Sequence, residues 1–141
     1  MTTHVLPTGE ATADLGRWLA RRMQPGDVVL LDGPLGAGKT TLVRALVEEL
    51  GGDPLLVASP TFTLMNLYDA RLPIAHVDAY RLEHAGQLAA LGFDELTEDG
   101  LGIIEWAERV AGAVAPDRAW RIAMAHAPEG RIAEVESPPG R

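Results

Sequence analysis

The 141-residue sequence has no cysteine. That rules out disulfides, thiolate metal sites and cysteine nucleophiles. Positive charge is also scarce: 12 basic against 20 acidic residues give a net charge of −8 and a pI near 4.9. Tight unaided binding to nucleic acid needs clustered cations, so it is not expected, although a local arginine patch could touch RNA inside a larger complex. No apolar run approaches the roughly 18 residues a membrane-spanning helix needs. The start, Met1-Thr2-Thr3-His4, lacks a basic region followed by an apolar core, which predicts no signal peptide and a cytoplasmic chain. There is no internal repeat and no linker. With 47% apolar residues, the expectation is one globular domain over residues 1–136, followed by a flexible tail at 137–141. Lysine is the scarcest charged residue: Lys39 stands alone, and the other eleven basic residues are arginine.

That one lysine sits in Gly33-Pro34-Leu35-Gly36-Ala37-Gly38-Lys39-Thr40, which fits the phosphate-binding pattern G-x-x-x-x-G-K-[ST] at every fixed position. The run from Asp27 to Leu31 before it reads as a buried strand, and Thr41 to Leu50 after it reads as a helix. Strand, glycine loop, helix is the context in which the motif works. Glycines let backbone N–H groups approach phosphate oxygens, and a helix start adds unpaired donors and a positive dipole end. Lys39 is expected to reach the β- and γ-phosphates, and the Thr40 hydroxyl to bind Mg²⁺. A compact ammonium on a flexible stem suits a phosphate, which accounts for a lone lysine in an arginine-using chain.

In chain order, residues 4–7 suggest a short edge strand. Leu15, Trp18, Leu19 and Met23 form the apolar stripe of a helix that begins near Thr8 and stops at Pro25-Gly26. Leu55 to Ala58 reads as a short buried strand. Residues 62–68 look extended and turn through 69–73 into a strand at Ile74 to Asp78, necessarily antiparallel after so short a connection. Tyr80 to Leu91 is expected to be helical, with Phe93 and Leu96 packed below it and a loop at 98–100. Leu101 to Trp106 is a strong buried strand, and Ala107 to Val114 a short helix. Trp120, Ile122 and Met124 alternate along a half-buried strand that returns through a turn at 127–130 into 131–136. The fold class is α/β: a three-layer sandwich like the P-loop NTPases, with a mixed, mainly parallel central sheet and a C-terminal β-hairpin.

Nucleotide hydrolysis needs an acid near the metal and the attacking water, commonly at the end of a buried strand. Asp78 and Glu105 both qualify, since open α/β sheets bind ligands at the carboxyl ends of their strands. Either could instead be an ordinary strand end or a helix N-cap. Thr61, after the bend set by Pro60, could sense the γ-phosphate and the metal, or be a turn hydroxyl. Arg81 could pair with phosphate, hold Asp78 or form a surface salt bridge. His76 reads as a satisfied structural histidine rather than a base. Trp106 is either core or a wall of the nucleotide site.

There is no N-K-x-D after the P-loop to read guanine, which disfavours a GTPase. Arg17 to Arg22 precede the P-loop on a helix and do not resemble the lid of a metabolite kinase. Several elements occur in order: Glu10-Ala11-Thr12 with Leu15-Gly16, the P-loop through Thr41, Ser59-Pro60-Thr61-Phe62-Thr63-Leu64, His76-Val77-Asp78-Ala79-Tyr80-Arg81-Leu82, and Glu105-Trp106. Together they resemble the TsaE (YjeE) family over residues 8–136. The P-loop alone is generic; the later elements are specific to that family.

The resemblance implies a bacterial ATPase serving formation of N6-threonylcarbamoyladenosine at position 37 of tRNAs that read codons starting with A. It implies action on a heterodimer of the transferase TsaD with TsaB, contact with tRNA only through that complex, and ATP/ADP with Mg²⁺ as ligands. Lys39 and Thr40 would hold phosphate and metal, Glu105 would complete the metal site, and Asp78 would assist hydrolysis. Thr61 would lie near the γ-phosphate. Gly33, Leu35, Gly36, Ala37, Gly38, Thr41 and Trp106 would line the nucleotide, and Glu10 to Thr12 the adenine. Pro34 stands where an acid is common, Ala79 where leucine is common and Ala107 where proline is frequent; none of these removes a catalytic group. The rival readings are a nucleotide-switched binding module, in which hydrolysis is incidental, and a small-molecule kinase, which would pass phosphate to an acceptor.

Overall fold

A computed structural model describes residues 1–34, 36–58 and 64–141. Leu35, Thr61 and the rest of 59–63 lie outside the described residues, as does the Ala111 side chain. Among the described residues seven strands form one sheet: β1 (Thr2–Leu6), β2 (Val28–Asp32), β3 (Met65–Tyr68), β4 (Ile74–Asp78), β5 (Leu101–Glu105), β6 (Ala119–Ala127) and β7 (Gly130–Glu136). Their order is β1-β7-β6-β2-β5-β4-β3. The centre, β6-β2-β5-β4, is parallel, and β1, β7 and β3 join antiparallel at the flanks. The sheet is thus mixed with a parallel centre, and β6 and β7 make the C-terminal hairpin.

Among the described residues the α-helices are α1 (Gly9–Ala20), α2 (Lys39–Glu49), α3 (Gly86–Ala90) and α4 (Phe93–Thr97). The β2 side chains alternate between two cores. Val29 and Leu31 join Leu15, Leu19, Leu42 and Leu46 of α1 and α2, while Val28 and Leu30 join Leu88, Phe93 and Val110 on the opposite face. A parallel strand covered on both faces reads as a continuous apolar run, which is why Val28–Leu31 shows no polar alternation. The hairpin is covered on one face only: Trp120, Ile122 and Met124 are buried, while Arg121, Ala123 and Ala125 are exposed.

Thr8 starts α1 by accepting a hydrogen bond from Ala11 N at 3.1 Å, and Leu15 and Leu19 carry its buried stripe. Gly16 lets α1 press against α2, because a Cβ there would lie 2.6 Å from the Leu42 carbonyl oxygen and 3.0 Å from the Ala45 Cβ. Trp18 packs at the edge of the core, edge-on to Trp120 and covered by the Arg22 guanidinium.

Four local expectations are corrected. Leu55–Ala58 is not a buried strand: Pro54–Leu56 forms a 3₁₀ turn, with Leu55 90% and Leu56 65% exposed. The Asp53 side chain accepts from Leu55 N, and Pro54 is pre-set for a helical first turn, so capping chemistry overrides a short apolar run. Tyr80–Leu91 is not one helix. Asp78 caps a 3₁₀ turn at Ala79–Arg81, Leu82 is extended, and only α3 follows. There the Gln87 side chain accepts from the Glu83 and His84 amides, replacing helical bonds. Phe93–Thr97 forms a short helix of its own; Phe93 is buried as expected, but Leu96 is 40% exposed rather than packed. Ala107–Val114 is two 3₁₀ turns, separated at Val110, whose φ of −133° breaks the run. In the 137–141 segment, the Arg141 guanidinium grips the buried Asp27 carboxylate at 2.5 and 2.6 Å. Asp27 also accepts from Gln24 N and Trp120 Nε1.

Candidate nucleotide site

The phosphate loop leaves β2 at Asp32 and enters α2 at Lys39. Gly38 is the α2 N-cap with φ 98°, in the left-handed region where a side chain is strained, and Gly36 has φ 78°. A Cβ on Gly38 would come 3.2 Å from Arg131 Cδ and 3.5 Å from Thr12 Cγ2. So α1 and the hairpin both approach the loop closely. Thr12 is buried at the loop, whereas Glu10 is exposed and holds Arg17 at 2.6 Å. Ala37 is fully buried, and Thr40 and Thr41 lie in the first turn of α2.

Sheet register brings both acids to the loop. Leu31 is opposite Glu105, and Glu105 is opposite Asp78. Side chains in register on parallel strands share a face, and Leu31 belongs to the core under α1 and α2. Glu105 and Asp78 therefore project to the face on which α2 begins. Asp78 Oδ1 accepts from Tyr80 N at 2.9 Å, so the N-cap alternative is realised, yet a carboxylate has about four lone-pair sites and keeps capacity for a ligand. Glu105 is 5% exposed, and its Oε2 lies 2.7 Å from His76 Nε2. His76 is thus satisfied and buried, but by an acid of the site itself. Arg81 ends the 3₁₀ turn and is exposed.

Lys39 Nζ donates to the Gly33 carbonyl at 2.7 Å and lies 5.0 Å from the centre of the Trp106 ring. Trp106 has φ 56°, the one positive φ outside glycine among the described residues. For a bulky residue that is a strained conformation, of the kind that persists at functional sites. Tyr80 is tilted against Trp106 at 5.2 Å, and the Arg109 guanidinium covers Tyr80.

Two residues escaped the sequence reading. Arg131 Nε donates to the Gly36 carbonyl at 2.9 Å from the far hairpin strand, a contact 95 residues away in sequence. Asp32 has a buried Oδ1 with no hydrogen-bond partner among the described residues. Burial pushes its carboxyl above the ordinary range and the Glu108 charge adds to the rise, against the Ala107 and Glu108 amides and Lys39. Its position directly before the P-loop was the available signal.

The donor set suits a phosphate chain with Mg²⁺. Glycine conformations open the loop, a helix N-terminus and one ammonium face it, and a threonine hydroxyl and a carboxylate are at hand. Mg²⁺ needs no more protein than that when phosphates and water supply the remaining ligands. Among the described residues, no group of three or more His, Asp or Glu gathers to hold a metal without such help. Likewise, no described helix is long and apolar enough to cross a membrane.

The chain is similar to known proteins over most of its length. The family described as "Threonylcarbamoyl adenosine biosynthesis protein TsaE" matches residues 6–133. A tRNA threonylcarbamoyladenosine biosynthesis protein TsaE from Rickettsia conorii is 39% identical over 80% of this chain, which spans only 65% of that relative's length. A protein of the same name from Nostoc is 42% identical over 78% of this chain and 70% of its own length. The crystal structure of Bacillus subtilis YdiB superposes with a TM-score of 0.74 at 30% identity, covering 99% of this chain and 86% of that one. The P-loop, the two strand-end acids in register and this match over nearly the whole chain lead to one conclusion: the chain belongs to the TsaE family.

Proposed function

We propose that the chain binds ATP with Mg²⁺ and hydrolyses it in support of N6-threonylcarbamoyladenosine formation at position 37 of tRNAs reading codons that start with A. It acts on a TsaD–TsaB-like heterodimer in the cytoplasm and does not transfer the group itself. The observation that carries this reading is the register of Leu31, Glu105 and Asp78, which sets two carboxylates beside the phosphate loop on one face of the sheet.

In this account the N-terminal amides of α2 and the loop bind the phosphates. Lys39 leaves the Gly33 carbonyl to neutralise the terminal phosphate. Thr40 and Glu105 would hold Mg²⁺, which would neutralise charge on the phosphates when bound. Asp78 orients the attacking water, and Thr61 is assigned the γ-phosphate on family resemblance alone. Trp106 walls the site, and Thr12 with Arg131 lines it from α1 and the hairpin. Catalysis is then mostly positioning and electrostatics, as expected for phosphoryl transfer to water.

The test is release of free phosphate from ATP by the protein, alone and with the heterodimer. Slow release that rises clearly with the partner supports the reading. ATP binding with no rise, together with tRNA modification that survives Asp78→Ala, would replace it with a nucleotide-switched binding module.

A further inference from the structure

We infer that Tyr68 and His76 are positioning residues that fix the Glu105 carboxylate in the orientation a divalent cation requires. This rests on the reading of Glu105 as a ligand of the nucleotide-bound metal.

Three side chains run diagonally across three adjacent strands. The Tyr68 hydroxyl on β3 lies 2.9 Å from His76 Nδ1 on β4, and His76 Nε2 lies 2.7 Å from Glu105 Oε2 on β5. All are buried: Tyr68 is 4%, His76 1% and Glu105 5% exposed. The pairing pattern makes this line. Tyr68 pairs with Ile74 and Asp78 with Glu105, so His76, midway between Ile74 and Asp78 on the same face, is diagonal to both.

The order of donors follows from chemistry. A carboxylate only accepts, so Nε2 donates to Glu105, and in the neutral ring Nδ1 then accepts from the Tyr68 hydroxyl. Burial pushes the Tyr68 phenol above its ordinary range, which keeps it a donor. With its one proton given to His76 Nδ1, the Tyr68 hydroxyl rests 3.3 Å from the Ala58 carbonyl, which accepts from the Asn66 amide at 3.2 Å.

Burying this trio is costly. Apolar side chains of similar volume would hold such a site at no loss of stability, so a buried acid–histidine pair is poor support for a purely structural role. Its geometry does have a use: one carboxylate oxygen is pinned from behind while the group keeps lone pairs for the loop side. Partners that hold ligating carboxylates in this way typically change metal affinity by about 10–100-fold when removed.

The experiment measures ATP affinity in excess Mg²⁺ and in EDTA, and takes the ratio as the metal enhancement. His76→Gln places an amide N–H near the position of Nε2 and keeps the donor to Glu105. His76→Asn places it near Nδ1 and loses that donor. The expected result is an enhancement about tenfold smaller in His76→Asn, largely restored in His76→Gln, and reduced a few-fold in Tyr68→Phe, which removes only the hydroxyl. Thermal unfolding of each variant identifies simple loss of fold, and Tyr68→Phe carries the test if His76→Asn does not fold. Equal enhancement in Asn, Gln and wild type overturns the inference, as does an equal loss in Asn and Gln with Tyr68→Phe unchanged. Wild-type ATP binding that is indifferent to Mg²⁺ would overturn the parent reading as well. An enhancement abolished by Glu105→Ala but untouched by His76→Asn would overturn this inference alone.

Discussion

The packing of α1 on α2 makes a sharp prediction, because two glycines of the same helix should respond to alanine in opposite ways. A Cβ on Gly16 would meet the Leu42 carbonyl oxygen at 2.6 Å, the Ala45 Cβ at 3.0 Å and Leu46 N at 3.2 Å. Two of these are backbone atoms of α2 and cannot rotate aside, so the helices must separate. Overpacking of this kind costs about 1–3 kcal/mol, and the backbone contact puts Gly16 in the upper half of that range. Against it, alanine in a helix interior gains about 1 kcal/mol over glycine. The net expectation for Gly16→Ala is about 1–2 kcal/mol of destabilisation. At roughly 3–5 °C per kcal/mol for a chain of this size, that is a fall in Tm of about 3–10 °C. A Cβ on Gly9 would meet nothing within 4 Å, so Gly9→Ala should leave Tm unchanged or raise it by a degree or two. Thermal melts of the two variants beside wild type decide it. Shifts of equal sign and size, or a higher Tm for Gly16→Ala, would refute the argument that Gly16 is required for close approach of the helix that opens the phosphate site.

Asp32→Asn is expected to stabilise the protein at neutral pH. Burial raises the folded-state pKa of this acid, so the folded protein binds more protons than the unfolded chain over the window between the two values, and stability falls as pH rises through it. Asparagine has no such loss, so its advantage in urea unfolding should be present at pH 7, shrink as pH falls from the raised value towards the ordinary aspartate range, and be gone below that range. An advantage that grows on acidification would contradict this. Arg131→Ala should weaken ATP binding about fivefold, because a charged hydrogen bond to the Gly36 carbonyl, worth on the order of 1 kcal/mol, no longer braces the loop. Calorimetric titration checks it against Arg121→Ala, an exposed change on the neighbouring strand that should bind as wild type does.

The parts of this molecule that could be read from its sequence are those governed by pattern. The P-loop motif, the uninterrupted Val28–Leu31 strand and the alternation of Trp120, Ile122 and Met124 each express a periodicity that burial imposes. Strand ends are equally legible, and both acids stand at them. Which acid sits in what company is not, because that depends on register: a shift of one residue would have turned Glu105 to the other face. Capping chemistry misled where it competed with apolar content, at Asp53-Pro54 and at Asp78, where single side chains started short turns in place of a strand and a long helix. The Arg131 contact with Gly36 was illegible because it joins residues 95 apart through hairpin geometry. His76 reads from the sequence as satisfied and structural; its partner is Glu105, which no spacing rule reveals.

The most direct test of the account is calorimetric titration of the protein with ATP, with and without Mg²⁺, for wild type, Lys39→Ala and Glu105→Ala. Saturable binding by wild type that strengthens with Mg²⁺, is lost in Lys39→Ala, and keeps its Mg²⁺-free part but not its enhancement in Glu105→Ala is the predicted result. Binding that ignores Mg²⁺ and survives Lys39→Ala would contradict the claim that the loop after β2 and the acids ending β4 and β5 form one nucleotide site.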